Sequence, residues 1–338
     1  MKEKFIKLKR QSECMNGLFR AGENGVREIV STKDGKIHFV DYAGKTLCVI
    51  ESCSGQNAVY PLFSARLTSS PEYVIMDLDG TSVESEEFWV ECIRKTVGEL
   101  IGENVTFTAE DIPFVSGHTT AEHLDYALKK YGGVKVASNA SEKYLEVSRK
   151  ELERALNTDS GEDKIRPSDG LKDFLLTLKN RGVKIGLASS GLFYKAIPEI
   201  ETAFAAMKLG DPLKFYDSII TGGVEKEKGK YSTLGELAAK PHPWLYKELV
   251  VNGLNCVDPE NAVVIEDSAS GVLAARLAGY AVIGLTTGNI DASGLAELCS
   301  ARADSLNTAL KILFPDESNK TKKDNAAEKV GLKVSCHA

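Results

Sequence analysis

Short apolar runs recur along the chain after about residue 71, and most of them end in a polar or acidic residue. A continuous apolar run of this length is typical of a buried strand in a parallel sheet. Helical patterns lie between the runs, for example at 171–182 and 270–279. This alternation predicts an α/β fold with a doubly wound parallel sheet. The predicted strands are 73–77, 183–189, 217–222, 262–267 and 280–288.

Residues 1–70 have a different pattern, with short alternating segments and turn signals at Asp34-Gly35 and Ala43-Gly44. Such turns between alternating segments are typical of β-hairpins. The sequence therefore predicts a small β-rich N-terminal extension at 1–70.

A helical insertion is expected at 85–164, between the first and second predicted strands. Apolar residues follow helical spacing from Phe88 to Val97, and 141–157 is amphipathic and rich in charge. We interpret this insertion as a cap over a catalytic core made of 71–84 and 165–315. The polar, charged residues 316–338 are predicted to form a disordered tail.

Composition narrows the class of protein. The chain has 338 residues, is 43% hydrophobic and 27% charged, and carries a formal net charge of −6. These values are ordinary for a globular protein and give no electrostatic reason to bind nucleic acid or an anionic membrane. No apolar stretch approaches the roughly 18 residues of a membrane-spanning helix, and the basic start lacks the apolar region of a secretory signal. The seven scattered cysteines contain no CxxC pair, which favours reduced thiols in the cytoplasm and argues against a zinc site.

The segment Asp77-Leu78-Asp79-Gly80-Thr81 follows the first predicted strand. Residues two apart in an extended segment face the same side, so both carboxylates are expected together, and Gly80 permits a sharp turn. Paired acids suit a hard cation, and an aspartate can act as a covalent nucleophile toward phosphorus. The glycine is two positions too early for an EF-hand loop, which leaves a solvated turn as the alternative.

Other predicted strands also end in polar residues. Ser189 closes one strand, and the pair Glu266-Asp267 closes another. Ligands of doubly wound sheets bind at the carboxyl ends of the strands, so we expect these side chains to gather near Asp77 and Asp79. A cap for the next helix is the alternative role of Ser189.

With Lys240, which precedes Pro241-His242-Pro243, these segments resemble the haloacid dehalogenase-like superfamily over about residues 71–315. The four motifs of that superfamily appear in order. They are DxDGT at 77–81, a strand-terminal serine at Ser189, a lysine at Lys240 and an acidic pair at 266–267. Lys226, Lys228 and Lys230 are alternatives for the lysine.

The resemblance implies a Mg²⁺-dependent phosphatase that hydrolyses a small phosphorylated metabolite, a sugar phosphate or an organic phosphate. Asp77 would form an aspartyl-phosphate, and Asp79 would serve as the general acid and base. Mg²⁺ would be held by Asp77, the Asp79 backbone carbonyl and Asp267, with Glu266 as a further ligand or an indirect support. The phosphoryl group would be bound by residues that donate hydrogen bonds or positive charge, namely Ser189, Ser190 and Lys240.

Asp79 sets the chain apart from the dehalogenases, which lack a second aspartate, and the helical insertion resembles those of phosphoglycolate phosphatases and β-phosphoglucomutases. The mutases carry a histidine twelve residues after the nucleophile, where this chain has Trp89, which disfavours a phosphomutase. In the cap, His118 and Trp89 are candidate substrate contacts, with a helix-start position and cap packing as the respective alternatives. The unusually long connection 222–240 is expected to gate the site, to recognise an anionic substrate, or to form a solvated insertion.

A catalytically silent binding module, with 1–70 as its functional part, is the alternative of a different class. The sequence carries no motif that identifies the substrate or the oligomeric state.

Overall fold

A computed structural model describes residues 7–51, 57–108, 110–111, 120–132, 134–157, 165–222 and 239–315. Its N-terminal part is a five-stranded antiparallel sheet in which sequential strands are neighbours. The strands are β1 (Lys9–Gln11), β2 (Val26–Ser31), β3 (Ile37–Tyr42), β4 (Lys45–Glu51) and β5 (Asn57–Pro61). The expected turns lie between β2 and β3 and between β3 and β4, with positive φ angles at Gly35 and Gly44. The predicted β-rich extension is confirmed.

A second sheet forms the centre of the molecule, and all of its strand pairs are parallel. Its strands are β6 (Tyr73–Asp77), β9 (Lys184–Leu192), β10 (Ser218–Gly222), β11 (Ala262–Glu266), β12 (Ala281–Leu285) and β13 (Ala301–Ala303). A separate short antiparallel pair consists of β7 (Val83–Glu84) and β8 (Arg166–Pro167). The spatial order is β10-β9-β6-β11-β12-β13. Strand β6 therefore lies in the interior, between β9 and β11, and the expected doubly wound sheet is confirmed.

Between β7 and β8, the described residues are largely helical and contribute α1 (Glu86–Ile101), α2 (Thr120–Tyr131) and α3 (Ala140–Asn157). The predicted apolar face of α1 is buried, including Phe88, Cys92 and Val97. Helix α1 ends at Gly102, whose left-handed backbone (φ 75°) suits a glycine. The inserted helices thus pack through one apolar face, as the spacing indicated.

The remaining helices cover both faces of the parallel sheet. They are α4 (Leu171–Asn180), α5 (Phe193–Met207), α6 (Pro212–Phe215), α7 (Trp244–Glu248), α8 (Ala269–Ala278), α9 (Ile290–Ser293) and α10 (Leu306–Leu313). Side chains of β6 alternate between the faces, so Val74 packs in the cluster that contains Phe174 of α4. Ile75 packs in the cluster that contains Leu245 of α7 and Val272 of α8. None of the helices described combines the length and hydropathy that a membrane-spanning segment requires.

Candidate active site

The end of β6 and the turn after it hold the paired aspartates. Asp77 is buried at the last position of the strand, and Asp79 is exposed two residues later. Gly80 turns the chain with φ 80°, and its N–H donates to the Val83 carbonyl over 2.9 Å. A Cβ atom at Gly80 would lie 2.4 Å from Asp267 Oδ2, so both the backbone angle and the close approach require glycine here.

The acidic pair lies at the end of the neighbouring strand β11. Carboxylate oxygens of Asp77, Glu266 and Asp267 lie within 4.8 Å of one another. Asp267 Oδ1 accepts a hydrogen bond of 3.1 Å from Thr81 Oγ1. Burial and then the neighbouring Glu266 raise the pKa of Asp267 to about 7, which Thr81 partly opposes. Three crowded acids favour proton uptake or a bound cation.

Glu266 is fully buried, and protein donors already occupy both of its oxygens. Oε1 accepts from Lys240 Nζ and from the Tyr246 hydroxyl, each over 2.7 Å. Oε2 accepts from the backbone N–H and the hydroxyl of Ser268, each over 3.0 Å. This arrangement fits a residue that orients Lys240 better than one that binds a cation directly.

Lys240 extends its buried ammonium group between the two acidic strand ends. Nζ donates to Asp77 Oδ1, to Glu266 Oε1 and, over 3.3 Å, to the Ala188 carbonyl. Burial disfavours the charged ammonium, but Asp77 and then Glu266 outweigh it and hold the pKa of Lys240 well above its usual value. A fixed positive charge therefore lies beside Asp77.

The serines predicted to bind phosphate lie at the end of β9. Ser189 is buried, accepts from the Gly191 N–H over 2.9 Å and donates to Asp79 Oδ2 over 3.1 Å. Ser190 is exposed, and its hydroxyl accepts from the Lys240 N–H over 3.2 Å. The structure thus brings Asp77, Asp79, Ser189, Ser190, Lys240, Glu266 and Asp267 to one edge of the sheet.

Trp89 lies in the first turn of α1, and its indole N–H donates a hydrogen bond to a side chain of the catalytic core. Trp89 Nε1 donates to Glu199 Oε1 over 2.7 Å, while Ser85 Oγ donates to Glu199 Oε2 over 2.9 Å. Lys195 Nζ lies 3.7 Å from the centre of the Trp89 ring. Burial, and next the charge of Asp79, raise the pKa of Glu199 well above its usual value. Glu199 of α5 therefore connects the first inserted helix to the core beside Asp79.

Two residues of this arrangement, Glu199 and Tyr246, were not predicted from the sequence, and Thr81 was included only as the last residue of the DxDGT segment, without a role of its own. The sequence contained one indication of Glu199, because an acidic residue within the apolar stretch of α5 is unusual unless it has a buried partner. His118 and the alternative lysines Lys226, Lys228 and Lys230 lie outside the described residues, as does most of the connection 222–240.

A comparison of the sequence with protein families agrees with this fold and with its cluster of acidic residues, serine and lysine. The sequence profile of the haloacid dehalogenase-like hydrolases matches residues 71–279. The match spans more than half of the chain, so the protein belongs to this family of enzymes, which includes phosphatases and phosphomutases among its relatives.

Three relatives show the similarity. Over 209 residues the chain is 28% identical to the phosphorylated carbohydrates phosphatase of Thermotoga maritima, covering 62% of this chain and 82% of that protein. It is 27% identical over 220 residues to the β-phosphoglucomutase of Bacillus subtilis, covering 64% of this chain and 83% of the mutase. The crystal structure of CbbY from Rhodobacter sphaeroides in complex with phosphate has a TM-score of 0.52 at 21% identity, with 70% of this chain and 95% of CbbY covered. The last comparison shows a shared fold.

Proposed function

We propose that the protein is a Mg²⁺-dependent phosphatase that uses Asp77 as its nucleophile. The contact of the buried Lys240 ammonium with both Asp77 and Glu266, beside Asp267, carries this proposal. A phosphate monoester repels nucleophiles through its own charge, so its hydrolysis depends on positioning and on charge neutralisation. A carboxylate flanked by a fixed cation and by further acids suits this chemistry.

The residues around Asp267 fit a small divalent cation. Their donors are carboxylate oxygens, which hard cations prefer. The space beside Asp267 Oδ2 is bordered by Gly80 and Gly288, where Cβ atoms would lie only 2.4 and 2.5 Å from that oxygen. Asp77, the Asp79 carbonyl and Asp267 would hold Mg²⁺, which would neutralise charge on the acids and on the phosphoryl oxygens. Glu266 would act indirectly, by orienting Lys240.

In the first chemical step, an Asp77 oxygen attacks phosphorus while the bond from phosphorus to the substrate oxygen breaks. Asp79 gives its proton to the leaving oxygen, so an alcohol departs and an aspartyl-phosphate remains. Asp79 then takes a proton from water, which attacks phosphorus and releases inorganic phosphate as Asp77 is restored. Ser189 and Lys240 would hold the phosphoryl oxygens in both steps.

We propose a small phosphorylated metabolite, a sugar or organic phosphate, as the substrate class. The name of the Thermotoga maritima relative supports this proposal. Residues 85–164 would act as a cap that excludes water, over a catalytic core of 71–84 and 165–315.

A phosphomutase is the second candidate, supported by the similarity to the Bacillus subtilis β-phosphoglucomutase. The environment of Trp89 disfavours it. Trp89 occupies the position at which the mutases have a histidine, and its single N–H is already bound by Glu199.

The test is release of phosphate from an aryl phosphate with and without Mg²⁺, followed by a panel of sugar and organic phosphates. We expect wild-type turnover, loss of turnover with EDTA, and loss in Asp77→Asn. Glu260→Gln, which removes an exposed acid, is the matched control and should retain activity. Turnover that survives in Asp77→Asn would refute the covalent mechanism, and isomerisation of a sugar phosphate without net phosphate release would support the mutase.

A further inference from the structure

The N-terminal sheet reaches the turn that carries Lys240. The Tyr60 hydroxyl of β5 shares a hydrogen bond of 2.8 Å with His242 Nδ1, two residues after Lys240. The Tyr60 ring also meets the rings of His242 and Trp244 edge-on, at centroid distances of 5.8 and 6.0 Å. His242 is buried, so this side of the turn is covered rather than open to solvent.

Apolar packing attaches the N-terminal sheet to the core, and this packing holds β5, which carries Tyr60, in place. Phe39, Cys48 and Ile50 belong to the same buried cluster as Leu245 of α7 and Leu273 of α8. Close packing of this kind resists small shifts of one element against another. A polar contact adds to it, because the buried Arg276 donates to the Phe63 carbonyl over 2.7 Å.

The segment 240–246, which Tyr60 contacts at His242, contains two side chains that donate hydrogen bonds to the acidic residues at the strand ends. Lys240 contacts Asp77 and Glu266 through Nζ, while Tyr246 of α7 donates to Glu266 from the other end of the segment. The His242 contact lies between these two. A displacement of the turn at His242 would therefore move the Lys240 ammonium relative to Asp77, and catalysis is sensitive to such small displacements.

The family profile begins only at residue 71, and 95% of CbbY is covered while 70% of this chain is. The fold of the catalytic core therefore exists without this sheet. We expect the sheet to adjust the position of site residues, while the core alone forms the site.

We infer that the N-terminal sheet positions Lys240, with Tyr60 and His242 as positioning residues that act through the turn at 240–243. The inference rests on the proposed phosphatase function. Because Lys240 would neutralise charge that builds up during phosphoryl transfer, loss of this contact should lower kcat and leave KM nearly unchanged.

The experiment compares wild type, Tyr60→Phe, His242→Phe and the double variant in the Mg²⁺-dependent aryl phosphate assay. Tyr60→Phe removes the hydroxyl and keeps the ring. We expect kcat to fall about 3- to 10-fold, as for one lost hydrogen bond, with KM within about twofold. The double variant should show no further fall beyond the larger single effect, since both changes remove the same contact. Tyr42→Phe on the same sheet, an exposed residue whose ring contacts Phe19, is the matched control and should match wild type.

Inhibition by inorganic vanadate, which mimics the five-coordinate transferring phosphoryl group, gives a second readout. Tyr60→Phe should weaken vanadate inhibition by the same factor as kcat, whereas a general loss of folded protein would leave the inhibition constant unchanged. An active wild type with unchanged kcat and vanadate inhibition in Tyr60→Phe would overturn the inference alone, and so would additive effects in the double variant. A wild type without turnover would overturn the proposed function and this inference together.

Discussion

Asp267→Asn is expected to stabilise the metal-free protein and to remove most of its stabilisation by Mg²⁺. The asparagine carbonyl can still accept the hydrogen bond from Thr81 Oγ1, so the change mainly removes a charge. In the metal-free protein that charge is unfavourable, because burial and Glu266 raise the pKa of Asp267 from 3.8 to about 7.

The sign follows from linkage. A carboxyl group with a raised folded-state pKa binds its proton more tightly in the folded protein than in the unfolded chain. Stability is therefore lost as pH rises from about 4 to about 7 and stays low above it. Each pKa unit corresponds to about 1.4 kcal/mol, which sets an upper bound of roughly 4 kcal/mol at pH 8. Asp267 is partly exposed, and solvent screening reduces the expected gain in Asp267→Asn to about 1–2 kcal/mol.

Urea denaturation at pH 8, with EDTA or with saturating Mg²⁺, measures both effects. At a Mg²⁺ concentration 100 times its Kd, the ion should stabilise wild type by about 2.7 kcal/mol. We expect little stabilisation of Asp267→Asn by Mg²⁺, whereas the control Glu260→Gln should behave as wild type in both conditions. A less stable metal-free Asp267→Asn, or one that Mg²⁺ stabilises as much as wild type, would refute the reasoning.

Three further predictions concern the same cluster and its supports. Mg²⁺ affinity measured by calorimetry should be about tenfold weaker at pH 6 than at pH 8, because protons compete at Asp267, whose pKa is about 7; a constant affinity would contradict this. Glu199→Ala should cost about 1–3 kcal/mol in urea denaturation, because Trp89 Nε1 loses its acceptor, and Glu199→Gln should cost less; equal losses would argue against the hydrogen bond. Tyr246→Phe should cost about 1.5–3 kcal/mol by removing a donor to the Glu266 carboxylate, and unchanged stability would show that this bond contributes nothing.

The sequence was sufficient to predict five of the six strands that the structure describes in the parallel sheet, because buried parallel strands require continuous apolar runs. It was also sufficient to place Asp77 near Asp267, since the carboxyl ends of parallel strands meet at one edge. The edge strand β13 was missed, because Ala301–Ala303 is only three residues long and has an arginine at its centre. Such a segment has no apolar run to detect.

Side-chain contacts between distant parts of the chain could not be predicted from the pattern of apolar and polar residues. Glu199 and Trp89 are 110 residues apart, and Tyr60 and His242 are 182 residues apart. Each pair depends on how helices and sheets pack, which local periodicity does not encode. Our proposal that Glu266 acts indirectly, one of the two options that the sequence left open, likewise depends on its hydrogen-bond donors, because an acidic pair in the sequence does not show which member faces a lysine.

Covalent attachment of phosphate to Asp77 tests the central claim most directly. An aryl phosphate with an acidic leaving group needs little help from Asp79 in the first step, so Asp79→Asn should accumulate the intermediate. Acid quenching after mixing with Mg²⁺ and this substrate, followed by peptide mass spectrometry, should locate one phosphoryl group on Asp77, and none in a variant that also carries Asp77→Asn. Wild-type turnover with no phosphoryl group on Asp77 in the quenched Asp79→Asn protein, or a phosphoryl group on another residue, would contradict the account.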